Sequence, residues 1–337
     1  MAALKIVIDE RIPALAHRLA PVANVQALPA EQITPATVAD ADVLVVRTRT
    51  RCDARLLENS RVRFIGTATI GTDHIDLAWC AGHGIKVVNA PGCNAPAVAQ
   101  WVMSTIGHFL REKNYTPDRL TLGIVGVGHI GSLVSQWARH WRFRVLLNDP
   151  PRALAEGAEN FTDLDTLLSQ SDIITVHTPL THNGPYPTYR LIDGRRLRIA
   201  SSCALLLNAA RGGIIEERAL GDFRGNIAID CWETEPVPDP GLLGRAYVAT
   251  PHIAGYSLEG KLRASAHMLA ELKRHFSLDV PDLPAYPDSF SPASIEEVTR
   301  SYNPMADTAK LRGNPADFEH LRNTYPLRHE THYFFRQ

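Results

Sequence analysis

Three short segments late in the chain carry side chains whose types suit the oxidation of an alcohol. Leu207-Asn208-Ala209-Ala210-Arg211-Gly212-Gly213 sets an arginine among small residues just past an apolar run. Its planar guanidinium can hold a carboxylate through two parallel hydrogen bonds, although such an arginine also serves in surface ion pairs. Asp230-Cys231-Trp232-Glu233-Thr234-Glu235-Pro236 and Thr250-Pro251-His252-Ile253-Ala254-Gly255 follow the next two apolar runs. Removing hydride from a secondary alcohol leaves a developing carbonyl and requires a base for the hydroxyl proton, a task suited to a histidine that titrates near neutrality. His252 is the candidate base. A carboxylate on its other ring nitrogen would fix the tautomer and favour the charged form, and either Glu233 or Glu235 could supply it. The chain holds 14 histidines, so the order Arg, Glu, His at successive strand ends carries the inference rather than any one residue.

A second constellation lies upstream. The apolar run Leu122 to Val125 leads into Gly126-Val127-Gly128-His129-Ile130-Gly131, and a helix-compatible stretch, Ser132 to His140, follows. The first glycine allows a tight turn, the second lets backbone N–H groups approach a pyrophosphate, and the third permits close packing of helix on strand. The pyrophosphate would then sit at the helix N-terminus, against Gly126, Gly128, His129, Ile130 and Gly131. The next strand, Phe143 to Asn148, ends at Asp149, 23 residues after Gly126, where a carboxylate is expected to meet the ribose 2′-hydroxyl. Glycine-rich turns also serve simple packing, but strand, glycines, helix, strand and acid together point to a dinucleotide. Asp149 favours NAD over NADP, because a 2′-phosphate would set like charge against it; Arg152 argues the other way.

Such segments need a sheet to hold them. Apolar strands are expected at Leu4 to Ile8, Val43 to Val46, Arg63 to Ile65 and Ile85 to Val88, with short helices at Leu56 to Asn59 and Leu77 to Ala81. This alternation indicates a parallel α/β sheet. Gly66 to Thr72 reads as a small-residue loop after a strand. Asn94 can cap a long helix, Ala95 to Glu112, in which Pro96 is tolerable because it falls in the first turn. Beyond Asp149 we expect helices around Leu164 to Ser169, Leu191 to Leu197 and Glu216 to Phe223. Strands at Ile173 to Val176, Ala204 to Leu207, Ile227 to Ile229 and Tyr247 to Ala249 complete a doubly wound unit. Leu258, Leu262, Leu269, Leu272 and Phe276 form the stripe of an amphipathic helix. Pro281 to Pro287 cannot continue it and marks a linker, after which a tail runs from Pro292 to Gln337.

The 337 residues call for more than one domain. A net charge of −1 and a pI near 6.9 give no basic field for nucleic acid or for lipid headgroups, so a small-molecule partner is expected. Five well-separated cysteines with no C-x-x-C spacing suggest neither a disulfide framework nor a zinc site, and fit a reducing cytoplasm. Met1 leads straight into the first strand without a signal peptide, and no apolar run reaches membrane-spanning length.

The sequence resembles the D-isomer-specific 2-hydroxyacid dehydrogenases. The likeness covers Gly66-Thr67-Ala68-Thr69-Ile70-Gly71-Thr72-Asp73-His74, Ala90 to Asn94, Gly123 to Gly128 and Asn148-Asp149-Pro150-Pro151-Arg152-Ala153. It continues through His177-Thr178-Pro179-Leu180, Asn208 to Gly212 and His252-Ile253-Ala254-Gly255-Tyr256-Ser257-Leu258-Glu259-Gly260-Lys261. The resemblance implies that Arg211 and Glu235 are active-site residues and His252 the proton donor, which selects Glu235 over Glu233. It implies cofactor contacts at Asp149, Thr178, Ala209, Asp230 and Gly255, and substrate contacts at Thr48, Thr69 and Tyr256. No metal is implied. The fold implied is a Rossmann-type NAD-binding domain (94–256), a flavodoxin-like lid or substrate domain (1–93 and 257–280), and a linker with a small, shortened C-terminal α+β dimerisation domain (281–337). Phe318-Glu319-His320-Leu321-Arg322-Asn323-Thr324-Tyr325 matches the family's tail. A homodimer is expected through that tail, which carries Tyr302, Phe318, Tyr325, Tyr333, Phe334 and Phe335.

The substrate implied is a 2-hydroxy acid bearing a phosphate, 4-phospho-D-erythronate, with 3-phosphoglycerate as another acid open to the same chemistry. Arg47, Arg49 and Arg51 alternate after the strand Val43 to Val46, and an extended segment would put all three on one face; Arg47, beside Thr48, is the first candidate for the phosphate. A non-enzymatic NAD(H) sensor on the same fold would have no use for Arg211, Glu235 and His252 together.

Overall fold

Four-residue runs without polar interruption suit a parallel sheet covered on both faces. Val43–Val46 is such a strand, buried at every residue. The computed structural model describes residues 4–287 and 292–334. The chain divides into two units, Met1–Asn94 with Ser257–Asp288 and Ala95–Tyr256 with Ser289–Gln337.

The first unit holds five parallel strands, β1 (Lys5–Asp9), β2 (Asn24–Leu28), β3 (Val43–Val46), β4 (Phe64–Thr67) and β5 (Lys86–Val88), in the order β2-β1-β3-β4-β5. This is the flavodoxin-like order. Side chains alternate between faces. Ile6, Ile8, Val43, Val45 and Phe64 cluster with Met268, Leu269 and Leu272 of the helix Leu258–Phe276. Val7, Leu44, Val46 and Ile65 cluster with Val38, Leu57 and Cys80. The expected linker 281–287 carries no helix or strand, and it packs Leu283 into the first of these clusters. Asn94 does not cap the following helix through its side chain: its Oδ1 is buried without a hydrogen-bond partner among the described residues.

The second unit holds six parallel strands, β6 (Thr121–Val125), β7 (Arg144–Asn148), β8 (Ile173–Val176), β9 (Leu205–Asn208), β10 (Asn226–Ile229) and β11 (Val248–Ala249), in the order β11-β10-β9-β8-β6-β7. The chain leaves β6 toward β7 on one side and resumes at β8 on the other, so a switch point lies between β6 and β8. Ligands of open α/β sheets bind outside the carboxyl ends of the strands at such a point. The helix Ala95–Lys113 is buried along most of its length, and its Trp101 Nε1 donates to Thr250 Oγ1 at 3.1 Å.

The tail differs from the expected separate α+β domain. Its described elements are the helices Ile295–Ser301, Pro304–Gly313, Phe318–Asn323 and Thr331–Phe334 and the single turn Pro315–Asp317, with no strand among the described residues. They pack on the nucleotide-binding sheet and its long helix: Val298 and Tyr302 join one core cluster, Leu311 and Phe318 the other. Val298, Tyr302, Leu311 and Phe318 are thus buried in the cores of this unit rather than in a core of the tail's own. Phe335 lies outside the described residues. No helix among the described residues is long and apolar enough to cross a membrane.

Candidate active site

The glycine turn follows β6. Gly126 has φ +86°, and a Cβ there would meet the His177 carbonyl carbon and the Thr178 nitrogen at 2.8 Å each. A Cβ at Gly131 would meet the Gly126 oxygen at 2.1 Å, while around Gly128 there is nothing within 4 Å. The turn is therefore clamped below and open at Gly128, where the helix His129–His140 begins and its first N–H groups lack intrahelical acceptors. Asp149 is half-buried at the end of β7. Its Oδ2 accepts the Val127 N–H at 2.8 Å, and its Oδ1 accepts the Arg152 N–H at 3.1 Å as the cap of the helix Pro150–Glu156. A carboxylate offers about four lone-pair sites, so capacity for ribose hydroxyls remains. Arg152 also donates to the Val127 carbonyl and pairs with Glu156 at 2.7 Å. Thr178 Oγ1, just past β8, is buried without a partner among the described residues. An orphaned hydroxyl beside a clamped glycine turn fits a bound dinucleotide.

After β9, Asn208 knits the next loop. Its Oδ1 accepts the Ala210 N–H at 3.1 Å and its Nδ2 donates to the Arg211 carbonyl at 2.9 Å. Ala209 is buried, and Arg211 is half-buried with its Nη1 donating to the Ala210 carbonyl at 2.8 Å. A Cβ on Gly212 would meet the Trp232 oxygen at 2.0 Å. Only glycine permits this approach of the arginine loop to the loop that carries Glu235.

The pair expected after β10 and β11 is present. His252 Nδ1 lies 3.0 Å from Glu235 Oε1 and 2.9 Å from Oε2, which leaves Nε2 for another partner. Glu235 Oε1 also accepts the Trp232 N–H at 2.9 Å. Burial pushes the Glu235 carboxyl up, but the His252 hydrogen bond and charge, the Trp232 N–H and Arg322 together hold it below its ordinary value. Glu233 is not the partner; it is 3.8 Å from Arg190. His252 has φ +55°, a left-handed conformation that costs a non-glycine residue on the order of 1–3 kcal/mol. Asp230 sustains it. The Asp230 carbonyl accepts the His252 N–H at 2.9 Å, and its buried carboxylate accepts from Thr250 Oγ1 at 2.6 Å, Ile253 N at 2.8 Å and Ala254 N at 3.0 Å. Asp230 thus organises the histidine loop, beside the cofactor contact expected of it. Gly255 and Tyr256 follow half-buried, with the Tyr256 ring edge-on to Tyr325 at 6.2 Å.

Cys231 Sγ stands with Glu235 and His252, their potential ligand atoms within 4.8 Å of one another. Burial, reinforced by Asp230 and Glu235, pushes this thiol well above its ordinary value, so it is a neutral neighbour of the pair.

The first unit carries the other expected substrate residues. Thr69 Oγ1 is 2.6 Å from Thr67 Oγ1 and donates to the Gly71 carbonyl at 3.1 Å. Thr48 is exposed. The arginine segment is not extended: the Thr50 N–H bonds the Arg47 carbonyl at 3.3 Å and closes a turn, so the three arginines do not share a face. Arg47 is drawn inward, its Nε 3.0 Å from the fully buried Asp9, whereas exposed Arg51 pairs with Asp53 at 2.9 Å. Sequence reasoning missed Asp9 as Arg47's anchor and Arg322, whose Nη1 is 3.7 Å from Glu235 Oε2. Neither has a local motif; both pairings depend on distant segments meeting.

Residues 95–254 match the family model described as D-isomer specific 2-hydroxyacid dehydrogenase, NAD binding domain. The chain is 42% identical to an erythronate-4-phosphate dehydrogenase of Bacteroides thetaiotaomicron, covering 97% of each chain. It is 40% identical to one of Marinobacter nauticus, covering 96% of this chain and 92% of that one. Its fold is similar to NAD+-bound 3-phosphoglycerate dehydrogenase of Entamoeba histolytica, with a TM-score of 0.70 and 23% identity over 82% of this chain and 96% of that one. The chain belongs to the D-isomer specific 2-hydroxyacid dehydrogenase family, in its erythronate-4-phosphate dehydrogenase branch.

Proposed function

We propose that the protein oxidises 4-phospho-D-erythronate at C2 with NAD to 2-oxo-3-hydroxy-4-phosphobutanoate, a step of pyridoxal 5′-phosphate biosynthesis. The observation that carries this is the His252–Glu235 pair at the carboxyl end of a nucleotide-binding sheet, in a chain whose relatives bear that enzyme's name. When bound, NAD supplies the acceptor for the hydride leaving C2. Glu235 holds the Nδ1 proton of His252, so Nε2 is the atom that takes the C2 hydroxyl proton as the carbonyl forms. The resulting imidazolium is stabilised by the Glu235 carboxylate. Arg211 holds the substrate carboxylate. Gly126, Gly128, His129, Ile130 and Gly131 line the pyrophosphate. Asp149, Thr178, Ala209, Asp230 and Gly255 complete the cofactor contacts, and Thr48, Thr69 and Tyr256 contact substrate.

Arg47 is assigned to the phosphate end. Its support is a basic cluster in the first unit: Asp9 accepts from Arg47 Nε and from the Arg11 N–H, each at 3.0 Å. Lys261, on the helix Leu258–Phe276, is pushed down to about 8 by burial and by the charges of Arg47 and Arg11. Burial is the larger cause, and the part owed to Arg47 and Arg11 marks the cationic surroundings of this lysine, which suit a phosphate dianion. The test is turnover with 4-phospho-D-erythronate, unphosphorylated D-erythronate and 3-phosphoglycerate. The expected result is a kcat/KM for the first that exceeds the second by about 10-fold or more, the worth of one charge-assisted bond. Similar values for the first two would refute the phosphate assignment, and a preference for 3-phosphoglycerate would reassign the substrate.

We further propose a cytoplasmic homodimer. None of the five cysteines forms a disulfide and all are buried, in keeping with a reducing compartment. In the tail, Tyr302 and Phe318 are consumed within the unit, which leaves exposed Phe334 among the aromatic candidates for an interface. Light scattering at micromolar concentration should give twice the chain mass; a monomer would contradict it.

A further inference from the structure

The C-terminal segment does more than pack on the nucleotide-binding sheet, because it reaches the catalytic loops of the same unit. Arg328 Nη1 donates to the Ile253 carbonyl at 3.0 Å, its Nη2 donates to the Ala254 and Ala97 carbonyls, and its Nε donates to Gln100 Oε1 at 2.9 Å. The guanidinium lies 4.4 Å from the Tyr302 ring centroid. Tyr302 and Tyr325 both donate to Asp307 Oδ2, at 3.0 and 2.9 Å. The two residues after His252 are thereby tied to the tail. One helical element earlier, at the end of Phe318–Asn323, Arg322 places Nη1 3.7 Å from Glu235 Oε2, with both side chains about four-fifths buried at 19% and 21% exposure. Arg322 also bonds Tyr256 and lies 3.6 Å from Glu319.

Resting on the function proposed above, we propose that Arg322 is a positioning residue of the catalytic pair: a fixed cation on Glu235 that divides the carboxylate between itself and His252 and so sets how readily the imidazole gives up its proton. The reason is electrostatic. Glu235 facing His252 alone would place its whole charge on the imidazolium. A permanent guanidinium on the same oxygen both neutralises part of that charge and repels the imidazolium. Oxidation needs the imidazole neutral at the start, so Arg322 extends activity toward lower pH. The other groups facing the pair are the buried Asp230 carboxylate, which acts on His252, the Cys231 thiol, and Glu217 of the turn Glu217–Asp222, which acts through its proximity to Glu235. Arg211 adds positive charge near Cys231. Arg322 also acts on the Cys231 thiol, holding it down against the rise from burial, but that thiol stays neutral in either case.

The test compares Arg322→Gln and Arg322→Met with Arg322→Lys. In the charge-free variants the acid limb of the kcat/KM profile for alcohol oxidation should move to higher pH by on the order of 0.5–1 unit, and Arg322→Lys should restore most of it. A purely structural role would lower kcat at every pH and leave the limb in place. The proton titration of the His252 Cε1–H in the protein without substrate, assigned by its loss in His252→Gln, reads the same shift without turnover. A failure to oxidise 4-phospho-D-erythronate therefore leaves this test intact. If one charge-free variant does not fold, the other is compared with Arg322→Lys. Coincident His252 titrations in wild type and a folded charge-free variant would overturn the proposal.

Discussion

Gly212→Ala offers a sharp test of how the arginine loop is held. An added Cβ would lie 2.0 Å from the Trp232 oxygen, 2.2 Å from its carbonyl carbon and 2.6 Å from the Glu233 nitrogen, all backbone atoms that no rotamer change can move. Even a tight contact near 3 Å requires the two loops to part by about 1 Å. Arg211 precedes this glycine and Glu235 follows Trp232, so the separation falls between the expected carboxylate clamp and the orienter of His252. A displacement of that size costs about 10²-fold in rate when reacting groups are misaligned, and overpacking costs about 1–3 kcal/mol of stability. Steady-state kinetics should show kcat/KM for the 2-hydroxy acid falling about 100-fold. Thermal unfolding should register the strain. A variant with wild-type kcat/KM would show that the contact between these loops does not position the arginine.

Other perturbations separate the remaining roles. Burial pushes the Glu217 carboxyl up to about 7, with Glu233, Glu235 and Asp239 adding to the rise. A raised folded value means that this group's contribution is present at low pH and is lost as pH climbs through about 7. Glu217→Gln should therefore gain on the order of 2 kcal/mol over wild type at about pH 8 and little at about pH 4, below the unfolded value, read as the difference in unfolding midpoints. Equal differences at both pH values would show that Glu217 ionises normally. Asp149→Ala should cut the ratio of NAD to NADP efficiency about tenfold and raise the KM for NAD, since the carboxylate also holds the Val127 N–H. An unaltered ratio would deny Asp149 its role at the ribose. His252→Gln should lower kcat by about 10²–10⁴ with little change in substrate binding, whereas Arg211→Ala should also raise KM. Identical kinetic signatures would refute the division of labour.

Much of this was legible where burial is uniform or periodic. Val43–Val46, Ile173–Val176 and Leu258–Phe276 form as read, because a doubly covered strand or a one-sided helix writes its environment into consecutive residues. The edge strand Asn24–Leu28 was not legible: it is exposed at three of five positions and its composition resembles a loop. The His252–Glu235 pair was readable as an order of strand ends, though choosing Glu235 over Glu233 needed the family resemblance. The alternation of arginines at 47, 49 and 51 carries no sign of the turn that the Thr50 N–H closes, so an extended segment does not form there. Arg322 stood in plain view within the tail string, yet its bearing on Glu235 depends on the tail folding back onto this sheet rather than forming a domain of its own.

The central claim is that hydride leaves C2 of the phosphorylated acid for NAD while His252 takes the hydroxyl proton. Incubation with NAD+ and 4-phospho-D-erythronate deuterated at C2, followed by mass analysis of the reduced cofactor, tests it most directly. The account predicts one deuterium in each NADH formed, matched by an equal amount of the 2-oxo acid. Unlabelled NADH, or oxidation without label transfer, would contradict it.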